Sequence, residues 1–286
     1  MASGPGNVTL NVEVHGRGKG RAVVALHGFI ATLESWRGLV PLLADREVWL
    51  FDLKGHGASP CPDDGKYTVQ DHADLVLARI VKEDLRGVTL VGHSFGGGVA
   101  LLVAIALIKE GAGRLASLVL IDSLAFPEGL SAWARLLRAV WALAYVPVPL
   151  FAISQAIAIG AVRMGLRIIC RRPENITAAA IHAYAGNLRQ PARASALIQT
   201  GRNMTQPNYA RIKDGLKDIE VPTLIVWGRQ DPLVPLEPTL NALHDGIKGS
   251  TTLVVEDCGH IAHEEQPTPL LRQIAAFLTQ QKRWSG

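Results

Sequence analysis

The stretch that most constrains this 286-residue chain is Val88-Thr89-Leu90-Val91-Gly92-His93-Ser94-Phe95-Gly96-Gly97-Gly98-Val99. A short apolar run, rich in β-branched residues, ends at Gly92. A run of small residues fit for a helix begins after Ser94. Between them lies G-x-S-x-G. A serine on a sharp strand-to-helix turn takes a strained backbone conformation, and the residues two before and two after it have almost no room for a side chain. Gly92 and Gly96 meet that need. The spacing predicts a nucleophile elbow, with Ser94 above the end of a sheet and the positive end of a helix beneath it.

The rest of the chain supplies that sheet. Val8–His15 alternates and reads as a strand. Ala22–Leu26 is apolar throughout, as central parallel strands tend to be. Ser35–Leu43 carries Trp36, Leu39, Val40 and Leu43 at helical spacing. Glu47–Phe51 is the next strand, and Thr68 with Asp71 forms a capping-box pattern for a helix to about Glu83. Leu115–Ile121 is a buried strand ending at Asp122. After it the alternation stops, and residues to about Lys213 are helix-like, Ala-rich and basic. Alternation resumes with strand Thr223–Trp227, helix Glu237–His244, strand Thr251–Val255 and a helix from about Pro267 to Gln281. This order specifies a mostly parallel twisted sheet with helices on both faces and an inserted helical unit. The expected division is 1–124 and 214–286 for the core, with 125–213 as a helical cap.

Charge marks the same insertion. Between Ala125 and Lys213 stand 11 basic residues against Glu128 and Glu174, a net +9, whereas the remainder is −5. The basic residues interleave with aliphatic ones and no nucleic-acid module is legible, so no nucleic-acid partner is expected. The three cysteines, Cys61, Cys170 and Cys258, form no C-x-x-C. No metal site or disulfide is therefore expected, and a reducing compartment fits. With no basic or apolar leader among the first residues, the expected location is cytoplasmic.

A serine hydroxyl attacks poorly until a base takes its proton, and that base is a histidine held by a carboxylate. After an elbow of this kind the acid and then the histidine come later in the chain. Strand Thr223–Trp227 leads to Gly228-Arg229-Gln230-Asp231, and strand Thr251–Val255 leads to Glu256-Asp257-Cys258-Gly259-His260. Asp231 and His260 are thus the candidate acid and base. Asp122, which also ends a strand, is the alternative acid. His72, His182, His244 and His263 carry no motif.

Here the chain resembles the α/β-hydrolase superfamily, in its capped group of esterases, C–C hydrolases and related enzymes. The features that carry the resemblance are His27-Gly28-Phe29, Gly55-His56-Gly57-Ala58-Ser59, the Ser94 elbow, Gly228–Asp231 and Gly259-His260, all in the family's order. It spans Val8 to Gln281, with the cap matching in position alone. The resemblance implies an α/β-hydrolase fold and a Ser94–Asp231–His260 triad. It also implies an oxyanion hole from the backbone N–H groups of Phe29 and Phe95. Serine at the elbow sets the chain apart from the branches with aspartate there.

From Ala139 to Val162 no residue is charged. Pro147 and Pro149 argue against a membrane-spanning helix. The run reads either as buried cap packing or a dimer contact, or as an apolar pocket facing Ser94. Trp133, Trp141, Tyr145 and Phe151 are candidate substrate-binding residues. Arg163, Arg167 and Arg171, at i, i+4 and i+8, read as one helical stripe, either solvated or seated on an anionic membrane surface. The leading expectation is a cofactor-free serine hydrolase of small-molecule carboxylic esters with an apolar acyl group. The rivals are hydrolysis of a carbon–carbon bond, as in meta-cleavage-product hydrolases, and a low-turnover ligand receptor on the same scaffold.

Overall fold

A computed structural model describes residues 8–126, 128, 130–132, 134–136, 155–204 and 209–280. Its strands are β1 (Val12–His15), β2 (Ala22–Leu26), β3 (Glu47–Phe51), β4 (Val88–His93), β5 (Leu115–Ile121), β6 (Thr223–Gly228) and β7 (Thr251–Val255). They form one seven-stranded sheet in the order β1-β3-β2-β4-β5-β6-β7. The β1–β3 pair is antiparallel and the other pairs are parallel. The first strand is shorter than its alternating pattern, starting at Val12.

The uniformly apolar strands follow from burial on both faces. Val24 and Leu26 of β2 join one core, which also holds Val76 and Ile80 of helix α1 (Val69–Lys82) and most of helix α2 (Phe95–Lys109). Val23 and Ala25 point the other way. They meet Trp36 and Leu39 of the 3₁₀ run Leu33–Leu43 and Ile274 of the C-terminal helix Pro267–Gln280. The predicted helix near residue 35 is thus a chain of 3₁₀ turns, with Pro41 inside it and Thr32 accepting from the Glu34 N–H. The Thr68–Asp71 capping box forms with both of its bonds.

Between β5 and β6 lie α3 (Gln155–Ile169), α4 (Ala178–Arg189), α5 (Pro191–Asn203) and α6 (Ala210–Gly215). Helices α3 and α4 share a small core of their own, in which Val162, Leu166, Ile181 and Tyr184 pack with Ala31 and Ile261 of the main body. The outer face of α3 exposes Met164 (58%) and Ile168 (49%), with Arg163 and Arg167 on its flank. Arg171 does not continue that stripe. The helix ends at Ile169, and Arg171 turns to Asp257, 3.7 Å away, so the three arginines are not one helical row. Helix α7 (Leu236–Gly246), the short α8 (Ala262–Glu265) and α9 (Pro267–Gln280) follow β6 and β7, and short 3₁₀ turns lie at Pro173–Asn175 and Leu216–Asp218. Among the described residues no helix is long and apolar enough to cross a membrane.

The packing beneath the elbow is backbone on backbone. A Cβ at Gly92 would lie 2.5 Å from the Gly96 carbonyl oxygen and 2.8 Å from the Gly97 Cα. Neither is a flexible side-chain end. Gly92→Ala is therefore expected to lower the unfolding free energy by about 1–3 kcal/mol, as overpacking does, measured by urea denaturation.

Candidate active site

Ser94 sits between the end of β4 and the start of α2 with φ 50° and ψ −118°. Three fastenings hold it there. Its N–H donates to Ile121 O (2.9 Å), and its carbonyl accepts from Gly97 N (2.9 Å) and Leu124 N (2.9 Å). The ends of β5 and α2 thus hold a left-handed conformation that serine would not choose.

The structure brings His260 and Asp231 to this serine. The Ser94 hydroxyl lies 2.8 Å from His260 Nε2, and His260 Nδ1 lies 2.7 Å from Asp231 Oδ2. All three residues are buried. A carboxylate accepts only, so Nδ1 carries the imidazole proton and Nε2 is left to accept from the hydroxyl. Asp231 is itself held. Its Oδ1 accepts from Leu233 N (2.8 Å) and Val234 N (3.1 Å), which leaves Oδ2 for the imidazole.

Asp122 makes no such bond. Its Oδ1 accepts from Gly228 N (2.7 Å) and its Oδ2 faces Ala262 N (3.5 Å), so it ties together the strand ends that carry Asp231 and His260. Burial and the neighbouring Asp231 charge hold its carboxyl well above the usual range. His93 serves the same region from below. Its Nε2–H donates to His260 O (2.8 Å), and burial holds its ring well below the usual imidazole range.

The turn bearing Phe29 lies against the elbow. A Cβ at Gly28 would stand 2.6 Å from His93 Nδ1 and 3.3 Å from Ser94 Cβ. His27 braces that turn, Nδ1 donating to Gly28 O (2.8 Å) and Nε2 accepting from Leu53 N (3.0 Å). Both ring nitrogens are used in the neutral form, and burial lowers the pKa to about 4. The Phe95 ring is fully buried edge-to-face on His72, at 5.0 Å between centroids. Trp133, Trp141, Tyr145 and Phe151 lie outside the described residues.

Two further acids flank His260, and the sequence carried no signal for either. Glu264 is buried and accepts from Tyr184 Oη of α4, whose hydroxyl also pairs with Ser35 Oγ (2.7 Å). Burial raises the Glu264 pKa to about 7. Glu265 receives a set of backbone N–H groups from both sides of His260 and from the chain after α3.

A family model described as "Alpha/beta hydrolase family" matches residues 23–273. The chain belongs to the alpha/beta hydrolase family. It is 27% identical over 281 residues to 2-hydroxymuconate semialdehyde hydrolase of Pseudomonas sp. strain CF600, covering 95% of this chain and 91% of that protein. It is also 27% identical over 278 residues to pimeloyl-[acyl-carrier protein] methyl ester esterase of Aeromonas hydrophila, covering 94% of this chain and all of that one. Among solved structures, wild-type Cfl2 from Burkholderia cenocepacia matches with TM-score 0.79 at 24% identity, covering 96% of this chain and 94% of the other.

In this α/β-hydrolase five buried histidines prefer the neutral form: His27 (about 4), His56 (about 3), His263 (about 3), and His72 and His93, both well below 6.5. Burial is the main cause in each. Their folded pKa values lie below the unfolded 6.5, so they add stability above that pH and lose it as pH falls. Glu264, raised to about 7, acts in the opposite sense between about pH 4.5 and 7, and Asp122, raised by burial, does so above its ordinary carboxylate range. Five protons outweigh two, each worth about 1.4 kcal/mol per pH unit. Unfolding free energy is therefore expected to drop from pH 6.5 toward 4.5, read by urea titration across that window.

Proposed function

We propose that this α/β-hydrolase is a serine hydrolase that cleaves small-molecule carboxylic esters with an apolar acyl group. The observation that carries the reading is the His260 ring, 2.8 Å from the Ser94 hydroxyl and 2.7 Å from the Asp231 carboxylate. As the Ser94 oxygen bonds to the ester carbonyl carbon, its proton passes to His260 Nε2. The tetrahedral oxyanion collapses, the carbon–oxygen bond to the alcohol breaks, and the alcohol leaves with that proton. Water then attacks the acyl-serine and gives a proton to the same nitrogen. Ser94 departs with it and the acid is released. Asp231 keeps the ring in the required tautomer and compensates the imidazolium.

The proposed oxyanion donors are the backbone N–H groups of Phe29 and Phe95. Two features support them: Phe95 opens α2, where N–H groups have no intrahelical partner, and a Cβ at Gly28 would stand 3.3 Å from Ser94 Cβ. We assign 125–213 as a cap over this site. The preference for an apolar acyl group is supported by the uncharged run from Ala139 to Val162. The similarity to a protein named as a methyl ester esterase supports ester chemistry. A second reading, hydrolysis of a carbon–carbon bond, is favoured by the similarity to a protein named as a 2-hydroxymuconate semialdehyde hydrolase.

Ser94→Ala and His260→Ala are expected to abolish turnover of p-nitrophenyl esters without unfolding the chain. Asp231→Asn should cost on the order of 10⁴ in kcat. Asp122→Asn, which keeps an oxygen to accept from Gly228 N, should keep most of it. An active Asp231→Asn beside a dead Asp122→Asn would show the acid to be misassigned. A series of acyl chain lengths tests the pocket, since a preference for acetyl over longer chains contradicts an apolar acyl site. Activity on a dienoic ring-fission product with none on esters would replace the first reading by the second. Failure of a fluorophosphonate to label Ser94 would point to a ligand receptor.

A further inference from the structure

We propose that Glu265 is a positioning residue for the base, fixing the backbone on both sides of His260 to the chain that leaves helix α3. Its side chain is fully buried. Oε1 accepts from Gly259 N (3.0 Å) and Ile261 N (3.2 Å), the two neighbours of His260. Oε2 accepts from Arg171 N (2.7 Å) and Arg172 N (3.1 Å) and also faces Gly259 N (3.1 Å). The joint has a second strand of bonding, because His260 N donates to Ile169 O (2.9 Å). It also has no slack. A Cβ at Gly259 would lie 2.2 Å from that same Ile169 oxygen.

A carboxylate suits this place because every backbone group bonded to it is a donor. Bonds from N–H groups to an ionised acceptor are the strong kind, and in a buried site nothing else would satisfy those donors. The inserted helices and the base therefore meet at one side chain. When α3 is seated, Glu265 holds residues 259 and 261 at the spacing that aims the imidazole at Ser94. This assignment rests on His260 being the base of the reaction proposed above.

Glu265→Gln keeps the shape and puts an amide N–H₂ among N–H donors. Displacing the imidazole by about 1 Å costs on the order of 100-fold in rate. The variant is therefore expected to lose about that factor in kcat per folded molecule, with KM changed by less than about twofold. Fluorophosphonate labelling of Ser94, which needs the same base but no ester of known structure, should slow by the same factor. Full kcat and labelling rate in a variant that merely melts earlier would reduce Glu265 to a fastener and overturn the proposal. Should Glu265→Gln not fold, Glu265→Asp retains the charge on a shorter arm. It is expected to lower kcat and labelling together, and an unchanged rate overturns the proposal equally. If the wild-type chain neither turns over nor labels, the serine-hydrolase reading fails. The ring position is then read by NMR from the low-field Nδ1 proton between His260 and Asp231. Its loss in Glu265→Gln sustains the assignment, and its persistence unchanged overturns it.

Discussion

The close approach of β4 to α2 is the contact on which the rest of the site depends. The first turn of α2 lies so near β4 that no side chain fits at Gly92, and so near the end of β2 that none fits at Gly96. A Cβ at Gly96 would stand 2.4 Å from His27 O. That proximity forces Ser94 into φ 50° and turns its hydroxyl out of the sheet edge. The strain is carried by bonds to the serine's own backbone from β5, α2 and the loop after Asp122, so the side chain stays unencumbered. The neighbours pay in freedom: small residues are required at every point where two backbones touch.

The same rule governs the partners. A Cβ at Gly228 would fall 1.9 Å from Gly259 O, which brings the ends of β6 and β7 into contact just where Asp231 and His260 leave them. Two acceptors in the protein interior exploit that contact. Asp122 accepts from Gly228 N beneath the Asp231 loop, and Glu265 collects the N–H groups around His260. His93 adds a donor to the His260 carbonyl from the strand that carries the serine. Side-chain geometry at the site is thus a consequence of backbone geometry fixed by other buried side chains. A carboxyl that serves N–H groups stabilises a loop without competing for the imidazole, and this separates the roles of Asp122 and Asp231 although both end strands.

The central strands were legible because they are apolar on both faces, the first because it alternates, and the elbow because its glycines are compulsory. Ser94, Asp231 and His260 could be picked out as candidates because loops at strand ends are few and carry Gly and Asp at set places. What could not be read has a common physical cause. Glu265 bonds to Arg171 N and Arg172 N, more than 90 residues away in the chain, through backbone groups that are the same in every residue type. A pattern of side chains holds no record of such a partner. The 3₁₀ character of Leu33–Leu43 was missed for a related reason. Its apolar spacing suits either helix, and what differs there is how the turns begin at Thr32, with Asp52 Oδ1 accepting from Leu33 N (2.8 Å). The row of three arginines failed because the helix ends at Ile169, where the chain turns toward Glu265 and Asp257.

That turn explains why the inserted helices and the core act as one piece near the site. Two joints cross between them within a few residues of His260: Glu265 to the chain after α3, and Glu264 to Tyr184 of α4 with Ser35 completing the triad of hydroxyls and carboxyl. A third lies next to the Phe29 turn, where Asn187 of α4 donates to Ile30 O (2.7 Å) and accepts from Gly57 N (2.9 Å). Buried polar joints of this kind are costly to leave half-made, because a partner left buried would lose its bond without gaining water. Helices α3 and α4 therefore have one well-defined seat, and the His260 loop and the Phe29 turn are both fastened to them. Whatever displaces those helices moves the surroundings of His260 and Phe29 together.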